Sequence, residues 1–199
     1  RRSRQASMSQ NALKLIILDR DGVINADRDD YVKSAEEWQP LPGSLEALAL
    51  LTQAGYRIAL ATNQSGIARG FYTLHDLHAM HQKMADLLTP LGGRIDSIFF
   101  CPHVDADQCK CRKPLPGMYL EIAARYLGSC EGASEHILSG VHVVGDSLRD
   151  LLPASTLGAQ LNLVLTGKGK LTLEHGGLPL HTAIYENLLA FTQQHLRQA

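Results

Sequence analysis

The chain has 199 residues, which is enough for one domain with a sizeable hydrophobic core, and its 45% hydrophobic content is typical of a globular protein. The formal net charge of −1 argues against nucleic-acid binding through bulk charge and against electrostatic attachment to a membrane. No apolar run approaches the roughly 18 residues of a membrane span, and the first residues lack the apolar core of an export signal, so we expect a cytoplasmic protein.

Residues 1–10 are polar and begin with RRSR, which predicts a disordered tail. Met8 could be the natural initiator, which would make residues 1–7 an expression remnant or an upstream extension. No repeat or linker divides residues 11–199, which we expect to form a single domain.

Short apolar runs alternate with longer amphipathic stretches along the chain. The apolar runs predict strands at 14–18, 56–61, 95–100, 141–144 and 159–165. The amphipathic stretches predict helices at 44–54, 73–89, 117–127, 147–157 and 181–198. We expect Ser44 to be the N-cap of the first helix, and Thr73 to form a capping box with Asp76. This alternation predicts a doubly wound α/β fold: a mostly parallel, Rossmann-like sheet with helices on both faces.

Polar residues follow the predicted strands, at the end of the sheet where ligands gather in such folds. Asp19 and Asp21 follow the first strand, and Asp146 follows the fourth. Carboxylate oxygens are the ligands that Mg²⁺ prefers, and a cation would offset their mutual repulsion. Thr62 and Lys113 could hold an anion beside that cation, as phosphoryl transfer requires. Each motif alone is typical of a polar turn, and only their shared placement at strand ends predicts a site.

Three of the four cysteines lie close together with a histidine, in a loop that leads directly to Arg112 and Lys113. The candidate ligands are Cys101, His103, Cys109 and Cys111. Three thiolates and an imidazole suit a closed, tetrahedral structural zinc site, and the alternative is a reduced loop without metal. Zinc would fix the backbone that positions the side chains of Arg112 and Lys113. Cys130 stands apart and is expected only to fill space.

Other features favour structural roles. His75, His78 and His81 have helical spacing, but no acid or cysteine completes a metal shell, which favours a solvated helix face. The segment 166–170 (TGKGK) lacks the spacing of a phosphate-binding loop and is expected to be a polar loop. We expect Trp38 to pack at the edge of the domain.

Four segments together resemble the motifs of the haloacid dehalogenase superfamily of phosphatases: DRDGVIN at 19–25, ATNQSGIARG at 61–70, CRKP at 111–114 and VGDSLRD at 144–150. With the cysteine-rich loop, the pattern is similar to heptose 1,7-bisphosphate phosphatases and to histidinol-phosphate phosphatases. The segments between the motifs are too short for a large cap domain.

The resemblance implies a mechanism. Asp19 would be the nucleophile that forms an aspartyl-phosphate, and Asp21, partly protonated, would act first as acid and then as base. Mg²⁺ would be held by the carboxylates of Asp19 and Asp146 and by the backbone carbonyl of Asp21. Thr62 and Lys113 would stabilise the transferring phosphoryl group.

The resemblance also implies the substrate contacts. Asn63, Gln64 and Ser65 would lie beside the phosphoryl group, because residues 63–66 can offer backbone N–H groups. Asp27 to Tyr31 would contact the sugar, and the guanidinium fork of Arg112 would bind a remote phosphate or hydroxyls.

One position departs from the pattern: Ser147 stands where some relatives have lysine. Asp150, one helical turn after Asp146, is expected to support the site.

Two substrates and one non-enzymatic role are considered. We favour the C7 phosphate of D-glycero-D-manno-heptose 1,7-bisphosphate, with histidinol phosphate or another small phosphate ester as the alternative. A zinc-stabilised binding module without catalysis is disfavoured, because it would not need the full set of five catalytic and metal-binding side chains. A small-molecule substrate and a monomeric chain, with no nucleic-acid or membrane partner, complete the expectation.

Overall fold

The computed structural model describes residues 14–128 and 135–198, so the predictions for the N-terminal tail and for Cys130 fall outside the described residues. The strands are β1 (Leu15–Leu18), β2 (Arg57–Asn63), β3 (Ser97–Cys101), β4 (His142–Gly145), β5 (Gln160–Val164) and β6 (Ala183–Tyr185). The helices are α1 (Ser44–Gln53), α2 (Leu74–Leu88), α3 (Gly117–Leu127), α4 (Leu148–Thr156), α5 (Gly169–His175) and α6 (Leu188–Gln198).

The strands form one parallel sheet in the order β3-β2-β1-β4-β5-β6. From β1 the chain proceeds outward to β2 and β3, then returns to β4 on the other side of β1. The point where the strand order reverses lies between the carboxyl ends of β1 and β4, where doubly wound folds bind ligands. The predicted fold class is confirmed.

Helices cover both faces of the sheet because the central strands are apolar on both sides. Ile16 and Leu18 of β1 face a core formed with α1, α2 and α6. Leu15 and Ile17 face a second core formed with α3 and α4. The burial of all four residues explains why β1 reads as a continuous apolar run.

The beginnings of the first two helices follow different rules. Thr73 accepts a hydrogen bond from the Asp76 amide while the Asp76 carboxylate accepts from the Thr73 amide, as predicted. The prediction that Ser44 is an N-cap is wrong, because the cap is Gly43 in a left-handed conformation (φ 79°). Ser44 is the first helical residue, and its hydroxyl donates to the Ile24 carbonyl at 2.6 Å.

The C-terminal region contains two elements that the sequence pattern did not predict. Residues 169–175 form α5, and the predicted helix at 181–198 is instead a sixth strand followed by α6. Asn187 explains the later start of α6, because its side chain accepts a hydrogen bond from the Ala190 amide at 2.8 Å.

Several side chains lie elsewhere than predicted. Trp38 is fully buried in the first core, not at an edge. The apolar spacing of residues 73–89 predicts a buried stripe of Leu74, Leu77, Met84, Leu87 and Leu88. The buried stripe of α2 instead contains Met80, and Leu74 and Leu87 are 46% and 40% exposed. His81 turns inward towards Arg20, so only His75 and His78 have the solvated positions predicted for all three histidines.

The connections after β1 and β2 carry no folded insertion. Segments 19–43 and 64–73 contain neither a helix nor a strand, which confirms that no large cap domain is inserted at either point. No helix in the described part of the chain is long and apolar enough to cross a membrane.

Because of His142, we expect the stability of the folded protein to fall in acid. Burial and the charge of His195 lower the pKa of His142 to about 4, and its ring lies 5.7 Å from that of Phe191. The unfolded chain, with a histidine pKa of about 6.5, therefore binds more protons than the folded chain in this range, and stability falls as pH drops from about 6.5 to about 4. We expect His142→Phe to reduce the loss of melting temperature between about pH 7 and pH 4.5 by about 2–4 °C. Thermal denaturation at several pH values measures this loss, and exposed His75→Phe is the control. An equal change of melting temperature with pH in His142→Phe and wild type would contradict the prediction.

Candidate active site

Three carboxylates meet where the strand order reverses. Asp19 follows β1, and its amide donates to the Val144 carbonyl of β4 at 3.1 Å. Asp146 follows β4, and Asp150 lies one turn later in α4. Oxygens of these three acids all lie within 4.8 Å of one another. The adjacency of β1 and β4 thus brings Asp19 and Asp146 together as predicted, but the third acid of the cluster is Asp150 and not the predicted Asp21.

Lys113 is the cation within this cluster. It is buried, and its ammonium donates to Asp150 Oδ1 at 2.5 Å, to Asp19 Oδ1 at 3.1 Å and to the Ala61 carbonyl at 2.7 Å. Burial alone would lower the pKa of Lys113, but the charges of Asp150 and Asp19 outweigh burial and raise it. Lys113 is therefore firmly protonated and offsets two buried acids.

The acids of the cluster are not fully compensated by protein groups. Burial and the charge of Asp150 raise the pKa of Asp19 to about 7, although Lys113 opposes the change. Burial and the charges of Asp19 and Asp150 raise the pKa of Asp146 well above its usual range. Such carboxylates are suited to exchange protons for a divalent cation.

Asp21 lies in a different environment from Asp19. Its Oδ1 accepts from Arg20 Nη2 and Asn25 Nδ2, both at 2.8 Å, and its Oδ2 accepts from Gln64 Nε2 at 3.1 Å. Burial would raise the pKa of Asp21, but the Arg20 charge and these hydrogen bonds lower it. The Arg20 charge thus favours the ionised form of Asp21 in the absence of substrate, and the role of Asp21 as the acid stays a prediction from the sequence.

Residues at the end of β2 supply hydrogen-bonding groups to the site and fix the backbone of Lys113. Thr62 is buried, and its hydroxyl accepts from Gln64 Nε2 at 2.9 Å. The Asn63 amide binds both the N–H and the carbonyl of Lys113 at 3.0 Å, so Asn63 fixes the lysine backbone. The Gln64 N–H donates to the Cys101 carbonyl, so this amide is not free to bind an anion as predicted.

A cavity of about 550 Å³ opens above these groups. With two exceptions, its walls include all the predicted catalytic, magnesium-binding and substrate-binding residues: Asp19, Asp21, Asp27, Arg28, Asp29, Tyr31, Asn63, Gln64, Ser65, Arg112, Lys113 and Asp146. The exceptions are Thr62, which is buried at the end of β2 beside them, and Asp30, which is exposed. The predicted residues thus form one site.

Arg112 is held by the cysteine-rich loop. Its Nε donates to Asp105 Oδ1 at 2.8 Å and its Nη1 to the His103 carbonyl at 3.3 Å. Within the described residues no partner for Arg112 Nη2 is found, and the residue lines the cavity. The loop therefore fixes the base of the guanidinium and leaves a donor for a ligand.

The four predicted zinc ligands converge within 4.8 Å of one another. Cys101 Sγ lies 3.7 Å from Cys109 Sγ and 3.5 Å from His103 Nδ1. A tetrahedral zinc site requires about 3.8 Å between sulfurs and about 3.5 Å between sulfur and nitrogen. Cys111 Sγ is closer to its neighbours, at 3.0 Å from Cys101 and 3.3 Å from His103. The set could hold a metal ion after a small adjustment of Cys111.

The segment 166–172 holds residues of the site in place, which the sequence pattern did not predict. Thr166 Oγ1 donates to the Gly22 carbonyl at 2.6 Å, the Lys168 amide donates to Asp146 Oδ2 at 2.9 Å, and Thr172 Oγ1 donates to the Asp146 carbonyl at 2.8 Å. Gly22 (φ 83°) permits this closeness, because a Cβ there would overlap the Asp146 carboxylate. The TGKGK sequence at 166–170 could have indicated this contribution to the site, but it was assigned to a polar loop.

Comparisons with known proteins agree with this geometry. The family model of the haloacid dehalogenase-like hydrolases matches residues 5–158. The chain belongs to this family.

Similar proteins within this family are named heptose 1,7-bisphosphate phosphatases. A D-glycero-β-D-manno-heptose-1,7-bisphosphate 7-phosphatase of Neisseria meningitidis is 55% identical over 183 residues, which are 91% of this chain and 94% of that protein. The crystal structure of D,D-heptose 1,7-bisphosphate phosphatase from B. bronchiseptica, complexed with magnesium and phosphate, is 53% identical with a TM-score of 0.88, covering 94% of this chain and 100% of that one. The corresponding Burkholderia thailandensis structure is 46% identical with a TM-score of 0.69, covering 92% of this chain and 98% of that one.

Asp150→Asn tests the buried charge cluster. The change keeps the shape of the side chain but leaves Lys113 with a single anionic partner, so we expect the free energy of unfolding to fall by about 3 kcal/mol. Chemical denaturation at neutral pH measures the loss. Asp86→Asn, an exposed acid on α2, is the matched control, and an equal effect of the two substitutions would argue against a role for Asp150 in charge compensation.

Proposed function

We propose that this hydrolase is a Mg²⁺-dependent phosphatase that removes the C7 phosphate of D-glycero-β-D-manno-heptose 1,7-bisphosphate. The observation that carries the proposal is the convergence of Asp19, Asp146 and Lys113 where the strand order reverses. The name shared by relatives at 50–55% identity supports the substrate and its β anomer. Histidinol phosphate, the alternative from sequence, gains no support from those relatives.

The donor set fits Mg²⁺. Asp19 and Asp146 present hard oxygen ligands whose raised pKa values reflect incomplete compensation, and the backbone carbonyl of Asp21 is the third proposed ligand. The B. bronchiseptica phosphatase is complexed with magnesium and phosphate together, which supports the same pairing here. When bound, Mg²⁺ would offset negative charge on the phosphoryl oxygens and orient them.

The protein groups divide the reaction into two displacements. An Asp19 carboxylate oxygen attacks phosphorus, and the bond from phosphorus to the sugar oxygen breaks, giving an aspartyl-phosphate. Asp21, which takes up a proton when the anionic phosphate lies beside it, gives this proton to the leaving sugar oxygen. Asp21 then takes a proton from water, whose oxygen attacks phosphorus and releases Asp19 and inorganic phosphate.

Other side chains bind and orient the substrate. The ammonium of Lys113 and the hydroxyl of Thr62 stabilise the transferring phosphoryl group. Arg112, whose Nη2 has no partner among the described residues, binds the remote phosphate at C1. Asp27 and Tyr31 line the same cavity and contact the sugar. A monomeric state and a cytoplasmic location stay predictions from the sequence.

Phosphate release by the purified protein with Mg²⁺ tests the substrate. We expect kcat/KM for the β anomer of the heptose bisphosphate to exceed that for the α anomer and for histidinol phosphate by about a hundredfold or more, or about 2.7 kcal/mol of transition-state discrimination. Asp19→Asn should abolish turnover because it removes the nucleophile. A preference for histidinol phosphate would reject the heptose assignment, and full activity of Asp19→Asn would reject the mechanism.

We also propose that the cysteine-rich loop binds one zinc ion in a structural role. Four protein ligands close a tetrahedral shell and leave no position for substrate. Burial raises the pKa of Cys101, so a free thiolate there is unfavourable without a cation. The loop holds Arg112 through Asp105 and the His103 carbonyl, so zinc would set the position of this guanidinium.

Cys109→Ser tests the zinc site. We expect the wild-type protein to contain about one zinc per chain by elemental analysis, and the variant to lose most of it because one of four ligands is replaced. The variant should also raise KM for the heptose bisphosphate more than it lowers kcat, since Arg112 would lose its support. Cys130→Ser is the control. Full zinc content in Cys109→Ser would contradict the site.

A further inference from the structure

Arg20, between the two motif aspartates, is a completely buried arginine at the edge of the site. Its Nε and Nη2 donate to Asp21 Oδ1 at 3.1 and 2.8 Å. On the opposite side, its Nη1 lies 3.2 Å from His81 Nε2 and 3.6 Å from Met80 Sδ, both on α2. Because an arginine only donates, His81 Nε2 must be the acceptor, which makes His81 a neutral imidazole.

The two oxygens of Asp21 are therefore unequal. Oδ1 accepts three hydrogen bonds, two from Arg20 and one from Asn25. Within residues 14–128 and 135–198, Oδ2 accepts one, from Gln64 Nε2. A carboxylate oxygen has about two lone-pair positions, so Oδ1 has no room for a proton while Oδ2 has.

We propose that Arg20, braced by His81, is a positioning residue that commits Asp21 Oδ1 to the guanidinium and thereby assigns proton transfer to Oδ2. This inference rests on the proposed phosphatase function and adds the atom that carries the proton and the side chains that direct it. Neither Arg20 nor His81 touches substrate in this scheme.

The proton balance follows from that assignment. In the first displacement the proton on Oδ2 moves to the sugar oxygen as its bond to phosphorus breaks. In the second, Oδ2 takes a proton from the attacking water as the bond between phosphorus and Asp19 breaks. Asp21 is restored to its starting state, and Oδ1 keeps its hydrogen bonds to Arg20 throughout.

Substitution of His81 tests whether its contact with Arg20 positions Asp21. His81→Phe keeps an aromatic ring but removes the acceptor, so the weak Met80 sulfur contact would be the one partner left to Arg20 Nη1 in the described part of the chain. The guanidinium would then lose its fixed direction, and with it the orientation of Asp21. Loss of orientation should slow steps that need the acid and spare a step that does not.

The experiment compares two leaving groups in single turnover. Cleavage of the heptose bisphosphate requires protonation of an alkoxide, whereas the first step with 4-nitrophenyl phosphate releases an anion that is stable at neutral pH. We expect His81→Phe to slow sugar-ester cleavage about tenfold and the nitrophenolate burst less than about twofold, with KM changed less than about twofold. His81→Gln, which restores an acceptor, should recover most of the rate. Asp21→Asn should show the same pattern with a larger loss.

Exposed His78→Leu on the same helix is the matched control. If His81→Phe leaves the sugar-ester rate unchanged, or slows both substrates equally, the positioning role is wrong. If His81→Phe does not fold, His81→Leu takes its place under the same criteria, and unfolding of both would show a purely structural role and overturn the proposal. Should wild type fail to cleave the heptose bisphosphate, the proposed substrate is wrong, and the comparison proceeds with an alkyl phosphate that it does hydrolyse.

Discussion

The site depends on the burial of Lys113 between Asp19 and Asp150. Without that ammonium, two carboxylates would be buried within a few ångströms of each other, at a cost that marginal protein stability cannot absorb. The lysine also binds the Ala61 carbonyl, so one charge connects the ends of β1 and β2 with the first turn of α4. The contact that offsets this cost also places a cation beside Asp19, the proposed nucleophile.

Neighbouring loops keep these charges in place. The Asn63 amide fixes the backbone of Lys113 from the β2 side, and the cysteine-rich loop fixes Arg112 from the β3 side. Asp21 is compensated separately by Arg20, although its charge still contributes to the raised pKa of Asp19. Arg20 thus compensates Asp21, and Lys113 compensates Asp19 and Asp150, so the proposed acid and the proposed nucleophile have different cationic partners.

Sequence reasoning predicted the parts of the site that lie next to strands. Asp19, Thr62, Lys113 and Asp146 could be placed together because parallel strands share one carboxyl edge. It missed the part that depends on long-range packing. His81 was assigned to solvent because Arg20, its partner, is 61 residues away. The helix α5 was missed because seven residues that begin with Gly169 give almost no helical pattern. Trp38 was misplaced for the same reason: its core partners come from other segments.

The contacts of residues 166–172 have a consequence for how the chain can be recombined. The family model ends at residue 158, so every recognised motif lies in the part before α5. Thr166, Lys168 and Thr172 nonetheless hold Gly22 and Asp146 from beyond that boundary. A chimera joined after β5 would inherit all four motifs and still lack the hydrogen bonds that orient Asp146, a proposed metal ligand. The segment needed to build this site is therefore longer than the segment that contains its motifs.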